Sequence, residues 1–331
     1  MLQFIARRLH VPLLVMAALL AIPAGADTVY VTSYTTGELI RYDSTDPTGT
    51  KTMLLPGGSL VSPGSLAVGP DGNLYIGENG DGSTFAPRIS KYEPATLTLS
   101  TVYPFASFEV FPGSLIFQGT DLLIGRNPFF NNTGPIVKLA NATGGPLAVS
   151  DYTTGGSLAS SPGLALAADG RLYVSDQTYD FVSGIASGPV KRFDAAGTYA
   201  GEVIADGASG LAGPTGLAID GTTLYTASIM NGTILQTDLT TDITTAFATT
   251  GSPFEVGTLA LLSDGSLLAG SPSGTGNIYH FGTDGTLLST FASGLGQIGG
   301  IAIVPEPGTA GIAAGVAAAV VWLVRRHGRP A

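Results

Sequence analysis

The 331-residue chain contains no cysteine, three histidines, one tryptophan and four methionines, and only 11% of its residues are charged. Without cysteine there is no disulfide framework and no thiol chemistry, so the fold must rest on packing alone. Of the histidines, His10 and His327 lie at the chain ends. Only His280 belongs to the body, which excludes a multi-histidine metal site. Cations are scarce too: between Asp27 and Val304 there are nine Lys/Arg against 23 Asp/Glu, a net charge of −14. An acidic body with no basic stripe cannot neutralise phosphates, which argues against nucleic acid as a partner. The Gly-x-Ser-x-Gly pattern of serine hydrolases is missing.

What the chain does have is distinctive at both ends. Arg7 and Arg8 precede an apolar run, Val11 to Ile22, and then Ala24-Gly25-Ala26. A positive start, a short apolar core and a small-x-small site read as a secretory signal peptide cleaved after Ala26, so residues 1–26 form the leader. The run is shorter than the roughly 20 residues of a membrane span. At the other end Pro305-Glu306-Pro307 opens the tail, residues 305–331. An apolar stretch from Ala310 to Val324 follows, with Trp322 near its end, and then Arg325, Arg326, His327 and Arg329. The arginines would hold that end of a short transmembrane helix on the cytoplasmic side. This order resembles the PEP-CTERM sorting signals of Gram-negative bacteria. The resemblance implies processing by signal peptidase and exosortase, transient membrane anchorage, and a final place at the cell surface or outside the cell.

The body, residues 27–304, is long enough for a large core and is repetitive. A Gly-small-apolar strand, an Asp-Gly turn and a Leu-Tyr-apolar strand recur, most clearly at Gly163-Leu164-Ala165-Leu166, Asp169-Gly170 and Leu172-Tyr173-Val174. Equivalent first-strand positions fall at Leu66, Leu115, Leu164, Leu217, Leu259 and Ile301, spaced 49, 49, 53, 42 and 42 residues apart. Such periods, with short strands, indicate four-stranded propeller blades. Thr28–Val31 matches a second strand and Glu38–Asp43 a third, whereas Gly300–Val304 is a first strand without successors. The expected fold is therefore an all-β, six-bladed β-propeller whose last strand completes the first blade. The fourth blade, with Leu-Tyr-Val-Ser-Asp and Val-Lys-Arg-Phe-Asp, resembles NHL repeats and SMP-30/gluconolactonase-like propellers.

The candidate site lies beyond the second strands. Ser33, Glu78, Arg126, Asp176, Ser228 and Ser271 hold equivalent positions there, expected to surround a central opening. The lactonase resemblance implies a divalent cation near such an opening. Glu78, Asn79, Asp81 and Asp176 supply the hard oxygen ligands calcium prefers, with Glu78 and Asp176 as alternative catalytic carboxylates. The bland alternative has Arg126 neutralising its acidic neighbours. The connections Gly77–Arg88, Arg126–Pro135 and Asp176–Pro189 are long and carry Phe85, Phe129, Phe130, Tyr179 and Phe181; Phe105, Phe108 and Phe111 precede the second of them. Loops on a rigid scaffold concentrate binding residues, unless the long loops bury their own aromatics. Phe85, Arg126, Phe129, Phe130, Tyr179 and Phe181 thus form a candidate surface for an extracellular polysaccharide or a protein. The competing expectation is a metal-assisted lactonase or lyase. His280 reads as a packing residue. Gly294-x-Gly296-x-x-Gly299 is no dinucleotide fingerprint, because a strand follows where a helix is needed.

Overall fold

A computed structural model describes residues 26–105, 110–127 and 133–305. Residues 1–25 of the leader and the sorting motif beyond Pro305, with Glu306, Pro307, Arg325 and Arg326, lie outside the described residues. Among the described residues no helix is long and apolar enough to cross a membrane.

Apolar residues alternate along short strands, and these strands form six four-stranded antiparallel sheets. Blade one contains β1 (Thr28–Ser33), β2 (Glu38–Asp43) and β3 (Thr52–Leu55). Blade two is β4 (Pro63–Val68), β5 (Leu74–Glu78), β6 (Arg88–Glu93) and β7 (Thr98–Pro104). Blade three is β8 (Pro112–Gln118), β9 (Asp121–Arg126), β10 (Val137–Ala140) and β11 (Ala148–Asp151). Blade four is β12 (Leu164–Leu166), β13 (Leu172–Ser175), β16 (Val190–Phe193) and β17 (Tyr199–Ile204), with an inserted hairpin of β14 (Thr178–Asp180) and β15 (Ile185–Ser187). Blade five runs through β18 (Pro214–Asp220), β19 (Thr223–Ser228), β20 (Thr233–Asp238) and β21 (Ile243–Thr249). Blade six comprises β22 (Thr258–Leu261), β23 (Leu267–Gly270), β24 (Ile278–Phe281) and β25 (Leu287–Ala292). Finally β26 (Ile298–Val304) pairs with β1, in the register Val31↔Ile301 and Val29↔Ile303. The expected closure is present, and the strand starts two residues earlier than the sequence pattern suggests.

The core confirms the ring. It divides into six apolar clusters, each shared by two neighbouring blades. A linear array of six blades would have five interfaces; the sixth joins Leu268 and Phe291 of blade six to Val29, Ile40 and Ile301 of blade one. Burial falls from centre to rim: β5 and β13 are buried throughout, while β11 is exposed throughout. The Asp-Gly turns repeat in detail. Gly72, Gly170 and Gly265 each donate their N–H three residues back, to Gly69, Ala167 and Leu262. All three glycines have φ between 76° and 87°, a conformation that costs other residues strain.

A candidate ligand-binding face

At the end of the second strands the chain turns toward the long connections. Here the six equivalent positions perform one structural job in five blades. The Ser33 hydroxyl donates to Leu295 O at 2.6 Å, and the Ser271 hydroxyl donates to Phe254 O at 3.1 Å. Val61 N–H donates to Glu78 Oε2 at 2.7 Å, Ala159 N–H to Asp176 Oδ1 at 2.7 Å, and Ala212 N–H to Ser228 Oγ at 2.8 Å. Each side chain thus latches the segment that leads into its blade's first strand. All five are buried. They do not surround the opening as expected. In a strand, neighbouring side chains point to opposite sides, and it is the next residue that lines the channel: Tyr34, Asn127, Gln177, Ile229 and Pro272. The repeat identified the right level of the ring and the wrong parity.

The carboxylate latches are also paired. Arg88 donates from Nε to Glu78 Oε1 and from Nη2 to Oε2, both at 2.8 Å, and the Ser90 hydroxyl bonds Oε1 as well. Lys191 Nζ lies 2.5 Å from Asp176 Oδ2 and also donates to Ser157 O at 2.7 Å. The cation thus comes from the third strand of the same blade, which corrects the alternative that Arg126 neutralises both carboxylates. Arg126 instead donates its N–H to Ser161 Oγ at 2.6 Å and its Nε to Pro135 O at 2.9 Å. Asp81 is used locally: its Oδ1 accepts the N–H groups of Ser83, Thr84 and Phe85 at 2.7–2.9 Å. Those donors, Phe85 foremost, hold its carboxyl below the usual aspartate range. Glu78, Asn79, Asp81 and Asp176 therefore do not fit a shared divalent cation. Among the described residues no three His, Asp or Glu side chains are grouped to hold a metal ion.

The channel itself is a cavity of about 670 Å³. Its girdle is the ring read from the sequence repeat: Leu66, Leu115, Leu164, Leu217, Leu259 and Ile301, each 6–9% exposed. None of the described residues lining it is charged. Glycine lets the first strands converge here; a Cβ at Gly163 would meet Thr215 O of blade five at 1.9 Å. Among the described lining residues Tyr34 is the one titratable group, and burial pushes its hydroxyl pKa up against the opposing pull of the neighbouring Ser62 and Asn79 side chains.

Around the mouth, the long connections differ in what they expose. In blade two the Asp81 turn presents Phe85, 46% exposed. In blade four the β14–β15 hairpin places Phe181 (55% exposed), Val182 (97%) and Ile185 (56%) in solvent. Its turn is fixed by Asp180, which accepts from Val182 N–H at 2.8 Å and from the Ser183 hydroxyl at 2.6 Å. Tyr179 braces Phe181 edge-on, with ring centroids 5.0 Å apart. Val182 and Ile185 do not stand out in the sequence; the alternating Thr-Tyr-Asp…Ile-Ala-Ser around Gly184 is the signal that marks the hairpin. Phe129 and Phe130 lie outside the described residues, as does Phe108. Phe105 and Phe111 are buried, Phe105 within the core between blades two and three. His280 sits in β24, away from this face, with Nε2 2.8 Å from Ser266 Oγ, a packing role.

Comparison with known proteins bears on the fold. No family model matches the chain, and no curated protein does either. Among solved structures, a chain of the nidogen/laminin complex aligns with a TM-score of 0.66 at 13% identity, covering 84% of this chain and 98% of that one. TolB from Acinetobacter baumannii aligns with a TM-score of 0.57 at 15% identity, covering 85% of this chain and 67% of that one. The body is a six-bladed β-propeller. At such identities the likeness establishes architecture and not activity.

Proposed function

We propose that this protein is an exported binding propeller that docks a protein partner on the channel-mouth face of blades two to four. The observation that carries this reading is the β14–β15 hairpin, which holds Phe181, Val182 and Ile185 exposed on a braced turn. Large apolar side chains fixed in solvent form the kind of patch that partner contact buries, and Phe85 of the blade-two connection is exposed as well. The carboxylates a metal-assisted lactonase or lyase would need, Glu78 and Asp176, are engaged by Arg88 and Lys191. This favours binding over catalysis. The similar chain from the nidogen/laminin complex comes from a protein–protein assembly, which agrees with a protein ligand. Tyr179 packs edge-on against Phe181 of the patch, and Arg126, Phe129 and Phe130 belong to the blade-three connection in sequence.

In this reading the leader and the tail of residues 305–331 are an address. Signal peptidase removes the first, and exosortase processes the second after Pro305-Glu306-Pro307, releasing or displaying the propeller outside the cell. Mass analysis of the exported protein tests the address: Arg325→Ala with Arg326→Ala should leave the tail unprocessed. For the ligand, immobilised full-length protein is exposed to the producing cell's extracellular fraction before and after protease treatment. Saturable binding that disappears after protease and in Phe181→Ser/Val182→Ser supports a protein partner. Binding that survives protease assigns the face to a polysaccharide instead.

A further inference from the structure

The channel mouth is chemically two-sided. On blades two, three and four the residue that follows the position equivalent to Glu78, Arg126 and Asp176 is an amide: Asn79, Asn127 and Gln177. Asn127 and Gln177 line the cavity, and Asn79 packs directly behind its wall, its Nδ2 2.5 Å from where a Cβ on Gly64 would stand. On blades five and six the lining there is mainly apolar, with Ile229, Pro272 and Phe254 beside Ser273. Below both arcs lies the aliphatic girdle.

Two observations mark this as a built site. Asn79 is 1% exposed, yet neither its Nδ2 nor its Oδ1 has a partner of good hydrogen-bond geometry. The Tyr34 hydroxyl lies near enough for the Asn79 side chain to pull its pKa down, but the pair does not meet that geometry. A buried amide left in this state costs free energy comparable to a lost hydrogen bond. Gln177 donates its Nε2 to Pro214 O at 3.2 Å, leaving its Oε1 with no donor among the described residues. Independently, Phe254 has a φ of 61°, and its N–H is held by Ile229 O at 2.7 Å. A left-handed conformation costs a non-glycine residue about 1–2 kcal/mol. Strain of this kind persists where surrounding contacts impose it, and it clusters at ligand sites. Here it sets Phe254 on the cavity wall, in the connection that leads into blade six.

We infer that the channel mouth is a second binding site, distinct from the apolar hairpin, that takes a neutral pyranose. Such a ring carries hydroxyls along its edge and C–H groups on its faces. The amide arc and Tyr34 suit the hydroxyls, while Ile229, Phe254 and Pro272 suit the C–H face. A cavity of about 670 Å³ lies within the range of small-molecule sites, roughly 300–1,000 Å³. The uncharged wall offers nothing to offset the desolvation of a carboxylate, so a uronate is rejected.

Calorimetric titration of the purified full-length protein with methyl glucoside, methyl galactoside, methyl mannoside and glucuronate tests this. At least one neutral glycoside should bind saturably, and glucuronate should bind at least tenfold more weakly. Tyr34→Phe and Gln177→Leu should each weaken the glycoside about tenfold, equivalent to one charge-neutral hydrogen bond. Gln177→Leu also removes the bond to Pro214, so Phe254→Gly provides a variant that glycine's freedom at φ 61° allows to fold. It should keep or raise the melting temperature while losing glycoside binding, a combination that a purely structural role for Phe254 would not produce. No saturable binding of any glycoside, or binding unchanged in all three variants, would overturn the inference. Phe181→Ser/Val182→Ser should leave the glycoside titration unaltered, so failure of this site and failure of the partner-docking face are read separately.

Discussion

The two halves of the ring solve the same structural problem differently. In blades one, five and six the latch at the end of the second strand is a serine: Ser33, Ser228 or Ser271. In blades two and four it is a carboxylate, Glu78 or Asp176, which also accepts a third-strand cation. The carboxylate half carries the long connections and the amide arc, and the serine half carries short turns and an apolar mouth. A hydroxyl can tie one short segment. A carboxylate has lone pairs enough to hold both the segment before its blade and the base of a long loop. In blades two and four the carboxylate at this position therefore supports additional chain, and acid–base chemistry need not be invoked to explain it.

Both halves depend on a closed ring, and the largest effect should come from opening it. Truncation before Ile298 removes the whole of β26, exposing β1 and the apolar cluster between blades six and one. Loss of a cooperative thermal transition by calorimetry is the expected result. Truncation after Pro305 should leave the transition within about 0.5 kcal/mol of the full chain, as for surface changes generally.

Next come the latches themselves. Glu78→Ala strands Arg88 and frees Val61 N–H, and should cost about 3–5 kcal/mol in denaturant unfolding, as breaking a buried pair does. Ser228→Ala removes the hydroxyl that joins Ala212 and should cost about 1 kcal/mol. Equal costs would erase the distinction between the halves.

Most of this architecture was legible in the chain. The spacing of Leu66, Leu115, Leu164, Leu217, Leu259 and Ile301 revealed the blades, and those side chains form the channel girdle. The Thr28 and Gly300 segments revealed the closure, because a strand without successors needs a partner elsewhere. The site was harder to read. Glu78 and Asp176 look alike as metal ligands and as ion-pair partners until Arg88 and Lys191 are located, and register decides which side of the strand each residue faces. Asn127 and Gln177 were one position away from the ring that the repeat highlighted. The exposed hairpin tip, Val182 and Ile185, looks in sequence like ordinary strand residues; only its position outside the sheet exposes it.

The smallest predicted effect is a pH dependence in the serine half. Burial lowers the pKa of His280 below 6.5, against the opposing pull of Asp264. The unfolded chain then takes up a proton more readily than the folded one. The stabilising contribution is complete above pH 6.5 and is lost as the pH falls through and below that value. Unfolding measured from pH 7.5 to 5.5 should show a shallow loss of stability that His280→Asn flattens.

The most direct test of the division between the halves uses matched surface changes. One full-length variant carries Phe181→Ser, Val182→Ser and Ile185→Ser on the hairpin. The other carries Met53→Ser, Ile243→Ser and Leu287→Ser, exposed apolar residues on the outer strands of blades one, five and six. Saturable binding to the protease-sensitive extracellular fraction is measured for both. The hairpin variant should lose at least tenfold in affinity while the outer-strand variant matches the wild type. Equal losses, or full binding by the hairpin variant, would contradict a docking face confined to blades two to four.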